Sequence, residues 1–343
     1  MSSENPHSMS ELLVPLALAV VATAVVWVGS GYFEQAAQRL SRHYGLPVAA
    51  HGAIVVAVGS SFPEISSVVI STVVHGEFSL GVGAIVGSAI FNLLVIPALS
   101  ALYSEELEST RDIVHKDAQF YVISILVLFI VFALGATYVP GGTNEAAVLT
   151  PTLVVLPLAT YGIYVFLHQQ DASEYDAPEV VDVRPAREWA VLAVALAVIA
   201  VGVEGLVRSA LDFGRIFDTP SFLWGLTVLA AATSLPDALV SVRAAREGDS
   251  VTSLTNVLGS NTFNLLVAIP LGVLLAGTAT INFLAAIPTF GFLALATLLF
   301  IVFTRTRLEL TDLEAYALLG VYVLFLLWMT LESVGVIETV QGI

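Results

Sequence analysis

Apolar positions in this chain neither alternate nor recur as a narrow stripe. They fill long blocks, and polar residues collect in the short gaps between them. Ten such blocks run near residues 12–30, 48–74, 79–103, 118–139, 147–168, 189–209, 222–245, 251–276, 280–303 and 311–337. A helix needs about 20 apolar residues to cross the hydrocarbon core of a bilayer. The pattern therefore predicts an all-α membrane protein of ten transmembrane helices. Two blocks interrupt their own apolar run: the second contains GSSFPEISS (59–67) and the seventh ATSLPDALVS (232–241), each with an acid beside a proline in mid-span. A charge at that depth costs about 3 kcal/mol on insertion scales, and proline removes a helical hydrogen bond. The combination demands a role.

Composition agrees with the pattern. Of 343 residues, 57% are hydrophobic, and the mean hydropathy is +0.90. The first block follows SSENPHSMSE rather than a basic segment, so it is expected to be a span and not a cleavable signal. With the gaps assigned alternately to two sides, the side opposite the N-terminus receives Arg39, Arg42, Arg111, Lys116, Arg184, Arg187, Arg243, Arg246, Arg305 and Arg307. The other side receives only Arg208 and Arg215. Ten against two predicts a multi-pass protein of the cell membrane with that basic side cytoplasmic and both termini extracellular. The net charge is −16, and Lys116 is the one lysine among twelve basic residues. Such a surface suits concentrated salt, where like charges are screened, and points to a halophilic prokaryote. It argues against nucleic acid as a partner, and no feature marks an obligate protein partner. The absence of cysteine excludes disulfides and thiolate metal sites.

The chain repeats itself. Besides the two acid–proline motifs, GSAIFNLLVIP (87–97) recurs as GSNTFNLLVAIP (259–270); Glu64 and Asp237 lie 173 residues apart, and Asn92 and Asn264 lie 172 apart. Each copy holds five spans, and an odd count makes the second copy enter the membrane from the opposite face. The gaps agree: STVVHGEFS (71–79) has no arginine, whereas its counterpart VRAAREGDS (242–250) has two. The expected architecture is two inverted five-helix repeats, residues 1–168 and 189–343, with broken helices 2 and 7 at the centre. Residues 169–188 form an acidic cytoplasmic linker. Its carboxylates lack the ligand spacing of an EF-hand, so it reads as a solvated connection.

Pro63 and Pro236 are expected to free carbonyls near Gly59, Ser60, Ala232 and Thr233, and free carbonyls are tolerated in a bilayer only where they line a cavity or are buried in protein. Beside carboxylates they make ligands for a hard cation such as Ca²⁺. The same segments supply Glu64 and Asp237, the hydroxyls of Ser60, Ser61, Thr233, Ser234, Ser88 and Ser260, and the amides of Asn92 and Asn264. No histidine or thiol joins them, which disfavours softer metals. Glycines in GVGAIVGSAIFN (81–92) and NVLGSNTFN (256–264) would let helices approach closely. A proline kink or a glycine run taken alone is ordinary packing; an intramembrane acid at matching positions of both repeats is not. His51, His75 and His115 read as incidental, Glu204 and Arg208 as a local pair, and Arg305 and Arg307 as surface anchors.

Together, GSSFPE…GSAIFN and ATSLPD…GSNTFN resemble the two α-repeats of the sodium/calcium exchangers, within the calcium/cation antiporter superfamily. The resemblance implies an antiporter, not an enzyme, that exchanges Na⁺ for Ca²⁺ by alternating access and needs no cofactor. It implies that Glu64 and Asp237 are central Ca²⁺ ligands, helped by the carbonyls of Ser60 and Thr233. Flanking Na⁺ sites would use the Ala57 carbonyl, Ser88 and Ser234 on one side and the Ala230 carbonyl, Thr233 and Ser260 on the other. Asn92 and Asn264 would line the centre. Potassium-dependent branches carry Asp at the position of Asn264, so the resemblance implies potassium independence. By the same analogy, spans one and six are candidates to slide as a pair.

One Ca²⁺ or two or more Na⁺ neutralise two carboxylates, so the ions exclude one another and protons compete with both. Loading three Na⁺ would make the exchange electrogenic. A proton/calcium antiporter of the same superfamily is the nearest alternative. An intramembrane aspartyl protease lacks its GxGD pattern here, an intramembrane metalloprotease lacks HExxH, and a channel would need ligands from several subunits.

Overall fold

The computed structural model describes residues 9–44, 57–104, 106–110, 116–143, 145–172, 183–306, 308–337 and 339–340. His51, Arg111, His115, Arg307, the expected start of the second span and most of the acidic linker lie outside these residues. The chain opens with α1 (Met9–His43). The second span follows as α2 (Ala57–Ser60), a break at Ser61, α3 (Phe62–Val69) and a π-helical turn, Ile70–Val74. Next come α4 (Phe78–Leu94), α5 (Ile96–Tyr103), α6 (Ala118–Thr137), β1 (Ala146–Leu149) and α7 (Pro151–Ala172). The second half holds α8 (Pro185–Phe217), α9 (Ser221–Trp224), a π turn at Gly225–Leu229 and α10 (Ala230–Arg246). These are followed by α11 (Ser250–Phe263), a π turn at Asn264–Ala268, α12 (Ile269–Ala276), β2 (Ala279–Asn282), α13 (Phe283–Arg305) and α14 (Asp312–Ser333). Among the described residues, nine helical stretches are long and apolar enough to cross a membrane, and the shorter apolar helix Phe62–Val74 stands where the remaining expected span lies.

Local chemistry sets the helix starts. Asp249 accepts from the Thr252 N–H at 2.9 Å, Asn282 caps α13 through Ala285, and Thr311 with Glu314 forms a reciprocal capping box on α14. Gly76 and Gly248 occupy equivalent positions of the repeat, and both have positive φ (70° and 84°) in the turn that follows an acid-bearing helix. An L side chain there would be strained.

The two prolines behave differently, which corrects the expectation of two broken helices. Helix 2 breaks at Ser61, so Pro63 falls in the first turn of α3, where its missing N–H would have no partner in any case. Helix 7 is not interrupted at Pro236. The α10 segment runs through it, and the irregularity is the π turn upstream at Gly225–Leu229, where the hydrogen-bond register widens by one residue.

The architecture is all-α apart from a small feature that the sequence did not announce. Strands β1 and β2 pair antiparallel, with Ala146 opposite Asn282 and Leu149 opposite Ala279. An isolated bridge joins Glu108 to Glu309. The strand pair follows α6 and precedes α13, whereas the bridge precedes α6 and follows α13, so the two pairings sit at opposite ends of the same two helices.

Helices α1 and α8 pack along each other in a second apolar cluster, which also takes in Leu80 and Ala84 of α4, Leu229 and Ala232. Gly202 leaves room for Val26 and the Ala22 carbonyl, and Gly29 for Ile199. Ser209 donates to the Pro15 carbonyl at 2.7 Å. Arg39 pairs with Glu188 at 3.3 Å, and Trp189 donates to the Tyr44 hydroxyl. At 35 and 33 residues, both helices exceed the length needed to span and must tilt or protrude. The larger core joins the remaining spans around α4, whose residues are nearly all buried.

Candidate functional site

Helices α3, α4, α10 and α11 meet at the centre of the larger core, and each contributes one repeat motif to the meeting point. Small residues allow this closeness. A Cβ on Gly87 would lie 2.2 Å from the Leu226 carbonyl oxygen, and one on Gly83 would lie 2.5 Å from that of Phe222. Backbone therefore packs directly on backbone between the first and second halves.

Glu64 and Asp237 expose no surface at all. The hydroxyls of Ser88 and Thr233 flank Glu64. Those of Ser60 and Ser260 flank Asp237, and the Ser60 and Ser260 hydroxyls are 3.3 Å apart. By repeat position Thr233 matches Ser60, and Ser88 matches Ser260. Each acid therefore receives one hydroxyl from its own half and one from the other. None of the described ion pairs reaches either carboxylate. Both oxygens of Glu64 and the Oδ1 of Asp237 have no hydrogen-bond partner. Burying such groups unpaired is costly, so the arrangement suits a positive charge between them.

Hydroxyl directions favour the same occupant. Thr233 donates to the carbonyls of Leu229 (3.0 Å) and Ala230 (3.3 Å). Its single proton is thus engaged with the backbone, and toward Glu64 it presents lone pairs. Oxygen facing carboxylate oxygen is favourable with a cation between them. Ser234 donates to Ser88 at 2.8 Å. Its repeat counterpart Ser61 is fully buried at the helix break, and its hydroxyl is unpartnered. Ala57 opens α2 one turn before the break, and Ala230 opens α10 directly after the π turn.

The two asparagines differ. Asn92 donates to Asp237 Oδ2 at 3.2 Å and to Asn261 Oδ1 at 3.0 Å, while its own Oδ1 is unpartnered. Both polar atoms of Asn264 are buried and unpartnered. Asn261 is absent from the sequence-derived set because its counterpart in the first repeat is Ala89, so a search for matching polar pairs passes over it. The polar character of NVLGSNTFN is its only trace in the sequence.

Eight of the twelve expected site residues lie on these four helices, with Ala57 and Ser60 on the adjoining α2, Ser61 at the break and Asn264 at the start of the π turn after α11; the donors are carboxylate, hydroxyl, amide and carbonyl oxygens. No group of three or more His, Cys, Asp or Glu residues that could hold a metal occurs among the described residues. This is chemistry for hard cations rather than transition metals. His75, read as incidental to the site, has a partner in Glu204: its Nε2 lies 2.9 Å from Glu204 Oε2. Glu204 also takes the expected bond from Arg208, at 2.6 Å.

Residues 14–168 and 187–331 match the protein family described as sodium/calcium exchanger protein. The sodium/calcium exchanger MaX1 of Methanosarcina acetivorans is 25% identical over 331 residues, covering 87% of this chain and 93% of the relative. The inner membrane protein YrbG of Escherichia coli is 27% identical over 273 residues, covering 77% and 81%. Among solved structures, the sodium-calcium exchanger NCX_Mj soaked with Na⁺ and Sr²⁺ shares the fold with a TM-score of 0.61. It is 21% identical and covers 91% of this chain and 97% of that one.

Proposed function

The chain belongs to the sodium/calcium exchanger family, and from that premise we propose that it exchanges Na⁺ for Ca²⁺ at the Glu64–Asp237 cluster by alternating access, without a requirement for K⁺. It is a multi-pass membrane transporter and not an enzyme. One observation carries the reading: two fully buried acids, one from each repeat, share a cluster of neutral oxygens, and among the described residues no cationic side chain pairs with them. Ca²⁺ is held by both carboxylates with the carbonyls of Ser60 and Thr233. Na⁺ is held by the same acids with Ala57, Ser88 and Ser234 on one flank, and Ala230, Thr233 and Ser260 on the other. Ser61, Asn92 and Asn264 complete the lining. Because one pair of charges serves both ions, loading of one expels the other.

The repeats are inverted in this reading. The β1–β2 pair and the Glu108–Glu309 bridge support this, since they join the end of α6 to the start of α13 and the start of α6 to the end of α13, so that these equivalent helices run antiparallel. Helices α1 and α8, which pack along each other in the apolar cluster outside the larger core, form the unit that slides across the site. The side rich in arginine faces the cytoplasm of a halophilic prokaryote, and both termini lie outside the cell membrane.

Radiolabelled calcium flux into proteoliposomes tests the assignment, with gradients of Na⁺, K⁺ and H⁺ imposed in turn. Uptake should follow the Na⁺ gradient at clamped pH and ignore K⁺. Uptake that follows only the H⁺ gradient would overturn sodium coupling in favour of proton/calcium antiport, and no uptake under any gradient would overturn calcium exchange itself.

A further inference from the structure

The two halves of the cluster match in their acids and hydroxyls but not in their amides, and one residue makes the difference. Asn261 Nδ2 donates to the Ala89 carbonyl at 3.1 Å. A backbone carbonyl can only accept, so this bond fixes which way the Asn261 amide points. Its Oδ1 is then turned to Asn92, which must answer with its NH₂, and does so at 3.0 Å. The second proton of that NH₂ reaches Asp237 Oδ2 at 3.2 Å. The orientation of Asn92 is thereby fully determined, and its Oδ1 is left as an unpartnered acceptor in a buried cluster.

At the equivalent place beside Asn264 the first repeat offers Ala89, which has no amide, and both polar atoms of Asn264 are unpartnered. The relay therefore exists once in a site that is otherwise doubled. Resting on the exchanger reading above, we infer that Asn261 is a positioning residue that locks the Asn92 amide, so that Asn92 presents a carbonyl oxygen to the bound cation. Asp237 is held in place through Asn92, and Glu64 is left to follow the ion. Without Asn261 the Asn92 amide keeps a single orienting partner, Asp237 Oδ2 at 3.2 Å, and a bound cation competes for that same carboxylate, so the Asn92 Oδ1 is held less firmly toward the ion.

A double-mutant cycle on the full-length protein tests this, with Ca²⁺ binding read by calorimetry in detergent. Asn261→Ala should raise the Ca²⁺ dissociation constant about tenfold, the scale of one lost orienting hydrogen bond. In an Asn92→Ala background, where there is no amide to orient, the same change should add less than about twofold. The near-isosteric Asn261→Leu runs through the same cycle and decides the matter should the alanine variant not fold. An equal effect in both backgrounds would show that Asn261 acts independently of Asn92 and would overturn the inference, as would unaltered binding in the wild-type background. A wild-type protein that binds no Ca²⁺ would sink the exchanger reading and this one with it, whereas wild-type binding with an indifferent Asn261 variant sinks this one alone.

Discussion

Glu64 and Asp237 are fully buried among neutral oxygens, and in the proposed reading a bound cation compensates their charge. Replacing either carboxylate by its amide keeps the shape but removes half of the charge that holds Ca²⁺. Glu64→Gln or Asp237→Asn should therefore weaken Ca²⁺ binding by at least about a hundredfold, since each loses charged contacts worth about 1.5–3 kcal/mol apiece. Flux should fall to background while the melting temperature in detergent holds or rises, because a buried charge has been removed. Calcium exchange surviving in either variant would refute the central assignment. The acids and hydroxyls were legible in the sequence because they occur twice: Glu64 answers to Asp237, Ser60 to Thr233, Ser88 to Ser260. Asn261 was not, because Ala89 stands opposite it. His75 was not either, because its partner Glu204 is 129 residues away and belongs to another helix. Repetition exposes residues that work in pairs and hides those that break the symmetry.

At the scale of elements, apolar blocks predicted the spans well, because crossing a bilayer is a demand on length and composition that each helix meets separately. What they left unresolved was set by contacts between helices. Both acid-bearing spans carry a proline, yet one breaks before it and the other runs through it. The β1–β2 pair is only four residues deep, and its strands fall mostly at the starts of the apolar blocks 147–168 and 280–303, where a strand period does not show. The close seam between α4 and the Gly225–Leu229 turn is the element on which the site depends most. Gly87→Ala would drive a Cβ to 2.2 Å from the Leu226 carbonyl, a clash with backbone that rotamer changes cannot relieve. A loss of about 1–3 kcal/mol is expected, seen as a lower melting temperature in detergent together with weaker Ca²⁺ binding. Gly291→Ala in α13 is the control, since nothing lies within 4 Å of its Cβ. It should be neutral or stabilising by about 0.5–1 kcal/mol from helix propensity. Equal behaviour of the two variants would show that the seam is looser than its geometry indicates.

For the whole molecule, charge governs behaviour on two length scales. A net charge of −16 repels itself across the surface, and screening shortens from about 10 Å at 0.1 M salt to 3 Å at 1 M. The melting temperature should therefore rise with choline chloride, a salt chosen because its cation is too large for the site; a flat or falling response would remove the case for a salt-adapted surface. Inside the membrane the relevant charge is that of the loaded site. Two carboxylates with one Ca²⁺ are neutral, as they are with two Na⁺, whereas three Na⁺ leave one positive charge to cross on each cycle. Moving that charge through 100 mV is worth about 2.3 kcal/mol, close to a fiftyfold bias in the Ca²⁺ gradient that the exchange can sustain. In vesicles loaded with Na⁺ and placed in Ca²⁺, an exchange of three Na⁺ for each Ca²⁺ would carry net positive charge outward. An inside-positive potential imposed with K⁺ and valinomycin should accelerate uptake, and an inside-negative potential should slow it. Uptake indifferent to the imposed potential would mean that the cluster carries two Na⁺ per cycle, one for each of the two sodium flanks.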